Sequence, residues 1–116
     1  MIKNVISSFD RIVKEAVKKT MAQQGNEKIE STFIIINEKG LHTRPSTELV
    51  KCAASFRSQI TLIYQNMTVN AKSLLGILML AAARGSKIKI EAEGEDAKEA
   101  VRSILELAKN KFYIKY

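Results

Sequence analysis

At 116 residues the chain can bury one compact core and is too short for two. Apolar residues make up 46% and charged ones 27%, and no unbroken apolar run approaches the ~18 residues of a membrane span, so stable membrane insertion is not expected. Nineteen lysines and arginines against twelve acids leave a net charge of +7, which favours an acidic partner (nucleic acid, anionic lipid or an acidic protein surface) and selects none of them.

Residues 1–21 set Ile2, Val5, Ile6, Phe9, Ile12, Val13, Ala16 and Val17 on one helical stripe, with the charges mostly elsewhere. This pattern predicts an amphipathic helix that docks on the domain, pairs with a copy or meets a surface. Its charges recur too often for a secretory leader, so the expected location is cytoplasmic. AQQGNEKIES reads as a polar linker, and Met21 at its head offers a second possible start of translation. The expected organisation is therefore a helix and linker over 1–30, followed by a domain over 31–116.

That domain alternates strand and helix signals. TFIIIN, residues 32–37, is β-branched and aromatic and ends at the turn EKG. From Thr43 to about Arg57, Leu49, Val50, Ala53 and Phe56 recur at helical spacing. QITLIY (59–64) and MTVN (67–70) flank Gln65–Asn66, a two-residue hairpin turn in which asparagine can take a positive φ. A short apolar helix begins near Ser73, and KIKIEAE (87–93) alternates with Ile88, Ile90 and Ala92 on one face. Asp96 and Glu99 suggest a capping box for a last helix, whose stripe is Ala97, Ala100, Val101, Ile104, Leu105 and Ala108. KFYIKY is ambiguous. The order β-α-β-β-α-β-α predicts an α+β fold: an open-faced, four-stranded antiparallel sheet covered on one side by three helices.

Two segments carry chemistry. GLHTRPS, residues 40–46, holds the only histidine and the only proline. Gly40 permits a sharp turn, and Pro45 suits the first helical turn, so His42 falls at or near an N-cap. Free amide N–H groups converge there, and the helix dipole favours an anion. Arg44 can swing a planar fork of donors onto the same group. Imidazoles are substantially neutral, hence nucleophilic, near neutral pH, so His42 reads either as a phosphate-carrying nucleophile or as a surface residue that happens to cap a helix. In VNAKSLLGI, Ser73 sits at the N-cap of the short helix beside Lys72. It serves as an ordinary cap, or as a serine whose phosphate would place about −2 of charge on a recognition face. Leu74, Leu75 and Leu78 share a helical face that is either core or docking patch.

Cys52 is alone, which excludes an internal disulfide and points to a small, partly buried apolar residue. With a single histidine, a metal centre would need mainly carboxylates; no metal and no cofactor are expected. A nucleic-acid-binding role has little support, because aromatic residues are few and no binding motif appears.

GLHTRPS and VNAKSLLGI together closely resemble the two signature segments of HPr, the histidine-containing phosphocarrier family of the phosphoenolpyruvate-dependent sugar phosphotransferase system. The likeness covers roughly residues 31–112. It implies a carrier rather than an enzyme: His42 loaded on Nδ1 by enzyme I, Arg44 holding the phosphate, and delivery to IIA domains of sugar permeases. It further implies Ser73 as the target of an ATP-dependent HPr kinase/phosphorylase, and Thr43, Leu74, Leu75 and Leu78 as partner-docking residues. A mainly regulatory protein acting through Ser73 is the alternative within the same resemblance. Departures are the segment before residue 30, Lys39 ahead of Gly40, Ser46 after the proline, Asn66 in the hairpin and the positive net charge.

Overall fold

The computed structural model describes residues 28–116, and the amphipathic segment over 1–21 lies outside them. Within that span the order is β1 (Lys28–Ile34), α1 (Thr43–Ala54), β2 (Gln59–Tyr64), β3 (Met67–Asn70), α2 (Leu74–Leu80), β4 (Lys87–Glu93) and α3 (Ala97–Lys109). The four strands form one antiparallel sheet in the spatial order β1-β4-β2-β3. Alternation decides its faces. Ile88, Ile90 and Ala92 point into the core with Phe33, Ile60 and Leu62, and the helices close over them with Leu49, Ala53, Ile77, Leu80, Ala100 and Ile104. The expected open-faced α+β architecture is the one observed. Among the described residues, no helix is long and apolar enough to cross a membrane.

Residues 28–31 read as polar linker in the sequence, yet they form the first half of β1. The register explains this. Lys28 pairs with Glu93 and Glu30 with Glu91 across the β1–β4 ladder, so the outer face becomes a lattice of charges. Lys28 Nζ lies 3.5 Å from Glu91, and Lys89 Nζ lies 3.5 Å from Glu30 and 3.2 Å from Glu91. The hydrogen-bonded Glu91 carboxylate holds the Lys89 ammonium above its ordinary value, and Lys89 holds Glu91 below its own. A solvated strand face needs no hydrophobic signal, only partners of opposite sign.

Two local expectations change. In the hairpin the positive φ falls on Gln65 (φ 55) and not on Asn66. Asp96 occupies the N-cap of α3, but its carboxylate makes no cap bond there. It reaches back instead, accepting from the N–H groups of Arg57 and Ser58 at 2.9 Å each and from the Ser58 hydroxyl, so the capping box with Glu99 does not form. Three donors to one carboxylate outweigh a single first-turn amide, and the result ties the start of α3 to the entry of β2.

Those bonds, the Ser58 hydroxyl foremost and the Arg57 N–H next, hold the Asp96 carboxyl below the usual carboxylate range. A depressed native pKa adds stability that is fully present above the unfolded carboxylate value, about 4, and is lost as the pH falls through the native value. Asp96→Asn should therefore cost about 1–2 kcal/mol at neutral pH, kept modest by the water around the group. In urea melts at successive pH values, the gap between variant and parent should close only below about pH 4. A gap that stayed constant down to pH 2 would show that the charge of Asp96 is not what stabilises this corner.

Candidate functional site

The turn after β1 is fixed from both sides. Gly40 N–H bonds to the Asn37 carbonyl at 3.0 Å, and Leu41 N–H bonds to the Ala82 carbonyl at 2.9 Å. Gly40 has φ +69, and a Cβ there would meet the Ala82 carbonyl oxygen and lie 2.9 Å from Ala83 Cα. Only glycine fits this approach of two backbones. Pro45 is buried in the first turn of α1. Ser46, also buried, gives its Oγ hydrogen to the Leu41 carbonyl at 3.1 Å, so the hydroxyl is satisfied within the turn.

His42 is the N-cap of α1, and its side chain makes no cap hydrogen bond. Its carbonyl begins the helix by accepting from Ser46 N–H at 3.0 Å. Among the described residues, the N–H groups of Thr43 and Arg44 have no protein acceptor, and Pro45 has none to offer. Two free donors and the positive end of the helix thus stand beside the imidazole. The ring is half-buried, and its Nε2 is enclosed without a hydrogen-bond partner among the described residues. Arg44 and Thr43 are exposed.

Sequence reasoning missed the residue that completes this corner. Tyr116 stacks on His42 with ring centroids 5.4 Å apart and planes 21° from parallel. Arg44 Nη1 lies 3.4 Å from the Tyr116 hydroxyl, and Lys39 Nζ lies 4.8 Å from the centre of the Tyr116 ring. The chain returns there because Lys111, Phe112 and Tyr113 all take positive φ, near 60°, while Phe112 is fully buried. Asn37, itself fully buried, holds that return by donating from Nδ2 to the main-chain oxygens of Lys111 (2.9 Å) and Tyr116 (3.0 Å). No periodicity could reveal contacts across more than seventy residues; the only signal was an aromatic tail with no assigned role.

Ser73 caps α2, its Oγ accepting from Gly76 N–H at 3.0 Å. Lys72, beside it in sequence, turns away: its ammonium donates to the Phe56 carbonyl at 2.8 Å. Leu74 is 37% exposed and Leu75 69%, while Leu78 is half-buried against its neighbours. Met79, at 59%, extends the apolar surface beyond the leucines read from the sequence. Cys52 is half-buried, and burial pushes its thiol above the ordinary value, away from a reactive thiolate. An open concavity of about 550 Å³ beside it, between α1 and α3, does not include His42. Among the described residues, no cluster of His, Cys, Asp and Glu could hold a metal ion.

The site is thus a half-buried imidazole at the start of a helix, beside two amide donors and next in space to the Tyr116 ring that Arg44 reaches, on an open-faced α+β sandwich. A family model described as the PTS HPr component phosphorylation site matches residues 29–110. The phosphocarrier protein HPr of Xylella fastidiosa (strain 9a5c) is 38% identical over 84 residues, covering 72% of this chain and 94% of that relative. Among solved structures, HPr-C-His from Thermoanaerobacter tengcongensis superposes with a TM-score of 0.72 at 40% identity, over 76% of this chain and 99% of that one. HPr from Bacillus anthracis str. Ames gives 0.67 at 36% identity, over 70% and 96%. The chain belongs to the HPr family, the phosphocarriers of the phosphotransferase system.

Proposed function

We propose that His42 accepts a phosphoryl group from phosphorylated enzyme I, ultimately from phosphoenolpyruvate, and passes it to the IIA domain of a sugar permease. The observation that carries this reading is the N-cap imidazole that caps nothing, beside two amides without acceptors among the described residues and under the Tyr116 ring whose hydroxyl Arg44 reaches. The Nδ1 lone pair attacks phosphorus while the bond to the donor's histidine breaks. The new phosphoramidate places its oxygens toward the Thr43 and Arg44 N–H groups, and the guanidinium turns onto them. Transfer of this kind rests on in-line positioning and charge stabilisation, so the domain needs a partner to complete the site and does no chemistry alone. Exposed Thr43, Leu74 and Leu75 with half-buried Leu78 form the docking face, and the complexes are small and short-lived. The carrier domain is assigned to residues 31–116, with β1 begun slightly earlier, and it works in the cytoplasm.

Ser73 is the regulatory position in this reading. Phosphate on its Oγ would keep the helix end as its neighbour, yet set a dianion against Leu74 and Leu75 where a partner must dock. With phosphoenolpyruvate and enzyme I, the protein should take up one phosphate that acid removes and base does not. After treatment with ATP and an HPr kinase/phosphorylase, Ser73 should carry an acid-stable phosphate and loading of His42 should slow at least tenfold, as expected for a charged group in an apolar interface. Unchanged loading of the Ser73-phosphorylated protein would separate that residue from the docking face.

A further inference from the structure

Tyr116 has no place in the phosphate chemistry as derived above, yet four contacts fix it there. Its ring lies on the imidazole, its hydroxyl meets Arg44, its ring receives the Lys39 ammonium, and its main-chain oxygen accepts from buried Asn37. Lys39, one of the departures from the family pattern, thereby acquires a partner. Under this stack the Nε2 nitrogen of the imidazole is enclosed and unpartnered among the described residues.

We propose that Tyr116 is a positioning residue of the phosphate site: its ring holds the His42 plane and screens Nε2, and its hydroxyl keeps the Arg44 guanidinium beside the imidazole until phosphate arrives. The inference rests on His42 being the phosphoacceptor. An imidazole whose Nε2 is enclosed is left with Nδ1 to offer to an incoming phosphoryl group. When the group forms on Nδ1, the guanidinium exchanges a weak contact with a neutral hydroxyl for charge-assisted bonds to phosphate oxygens. The stack remains.

Potassium phosphoramidate tests the geometry without any partner protein. In that reaction the ring N–P bond forms as the reagent's P–N bond breaks, and the proton on the reagent's phosphate leaves with the ammonia. Phosphorus and nitrogen NMR of the full chain distinguish the two phosphohistidine isomers. The parent protein and Tyr116→Phe, which keeps the stack, should both give the Nδ1 isomer predominantly. In Tyr116→Ala the Nε2 isomer should rise about fivefold, the scale of one aromatic stack. The ring-current displacement of the His42 carbon-bound protons should be present in the parent and Tyr116→Phe and vanish in Tyr116→Ala. Identical isomer ratios and His42 proton shifts in a folded Tyr116→Ala protein would overturn the proposal. Loading by enzyme I is measured in parallel. A parent that shows the Tyr116 effect with phosphoramidate but takes nothing from enzyme I would refute the carrier reading of His42 and leave the positioning of its ring standing.

Discussion

His42→Ala is expected to take up no phosphate from phosphoenolpyruvate and enzyme I, a loss of at least about a thousandfold, because the nucleophile itself is gone. The chain has no second histidine to substitute for it. The fold should not change, since among the described residues the side chain caps nothing and its Nε2 has no hydrogen-bond partner, leaving the stack on Tyr116 as its contact to lose. Its removal exchanges a half-buried ring for a methyl group at a solvent-facing corner, which costs about 1 kcal/mol or less. Arg44→Ala should behave differently. The imidazole and the amides of Thr43 and Arg44 persist, so labelling should still reach one phosphate, but about ten- to a hundredfold more slowly, as expected for one charge-assisted donor. Arg44→Lys should recover part of that loss, since an ammonium supplies charge without the planar fork. A His42→Ala protein that labels at the parent rate would place the phosphoacceptor elsewhere.

What could be read in advance follows the range of each interaction. β4 falls on the residues its alternation marks, because one buried face against one solvated face leaves a period in the sequence, and β2 and β3 fall on the residues that flank their two-residue turn. The His42 corner was visible for a similar reason: a glycine, a histidine and a proline within six residues encode a turn and a helix start locally. The start of β1 was hidden, because its outer face is satisfied by ion pairs with Lys89 and Glu91, which lie about sixty residues on. Asp96 looked like a cap because the cap signal is local; the Arg57 and Ser58 donors that take its carboxylate come from a different part of the chain. Tyr116 is the extreme case. Its partners are His42, Arg44, Lys39 and Asn37, and no window that contains the tail also contains them.

Gly40→Ala should be the most destabilising single methyl that can be added near the site, at about 2–4 kcal/mol. Two effects combine. The left-handed φ of +69 costs any residue with a Cβ roughly 1 kcal/mol. The new atom would also run into the Ala82 carbonyl and Ala83 Cα, both backbone, which cannot rotate aside as a side chain would. Relief requires the two segments to part, and that breaks the 2.9 Å bond from Leu41 N–H to Ala82 that seats His42. Stability and phosphate loading should therefore fall together, with a urea midpoint lowered at unchanged slope and a melting temperature down by about 10–20 °C. Gly85→Ala is the control. That glycine also has a positive φ, +90, but nothing lies within 4 Å of where its Cβ would stand. It should lose only the dihedral share, about 1 kcal/mol, and load phosphate at the parent rate. Equal losses in the two variants would mean that conformation alone makes Gly40 necessary. A larger loss at Gly40, accompanied by slower loading, would mean that the close approach of residues 40–41 to 82–83 is what aims the imidazole outward.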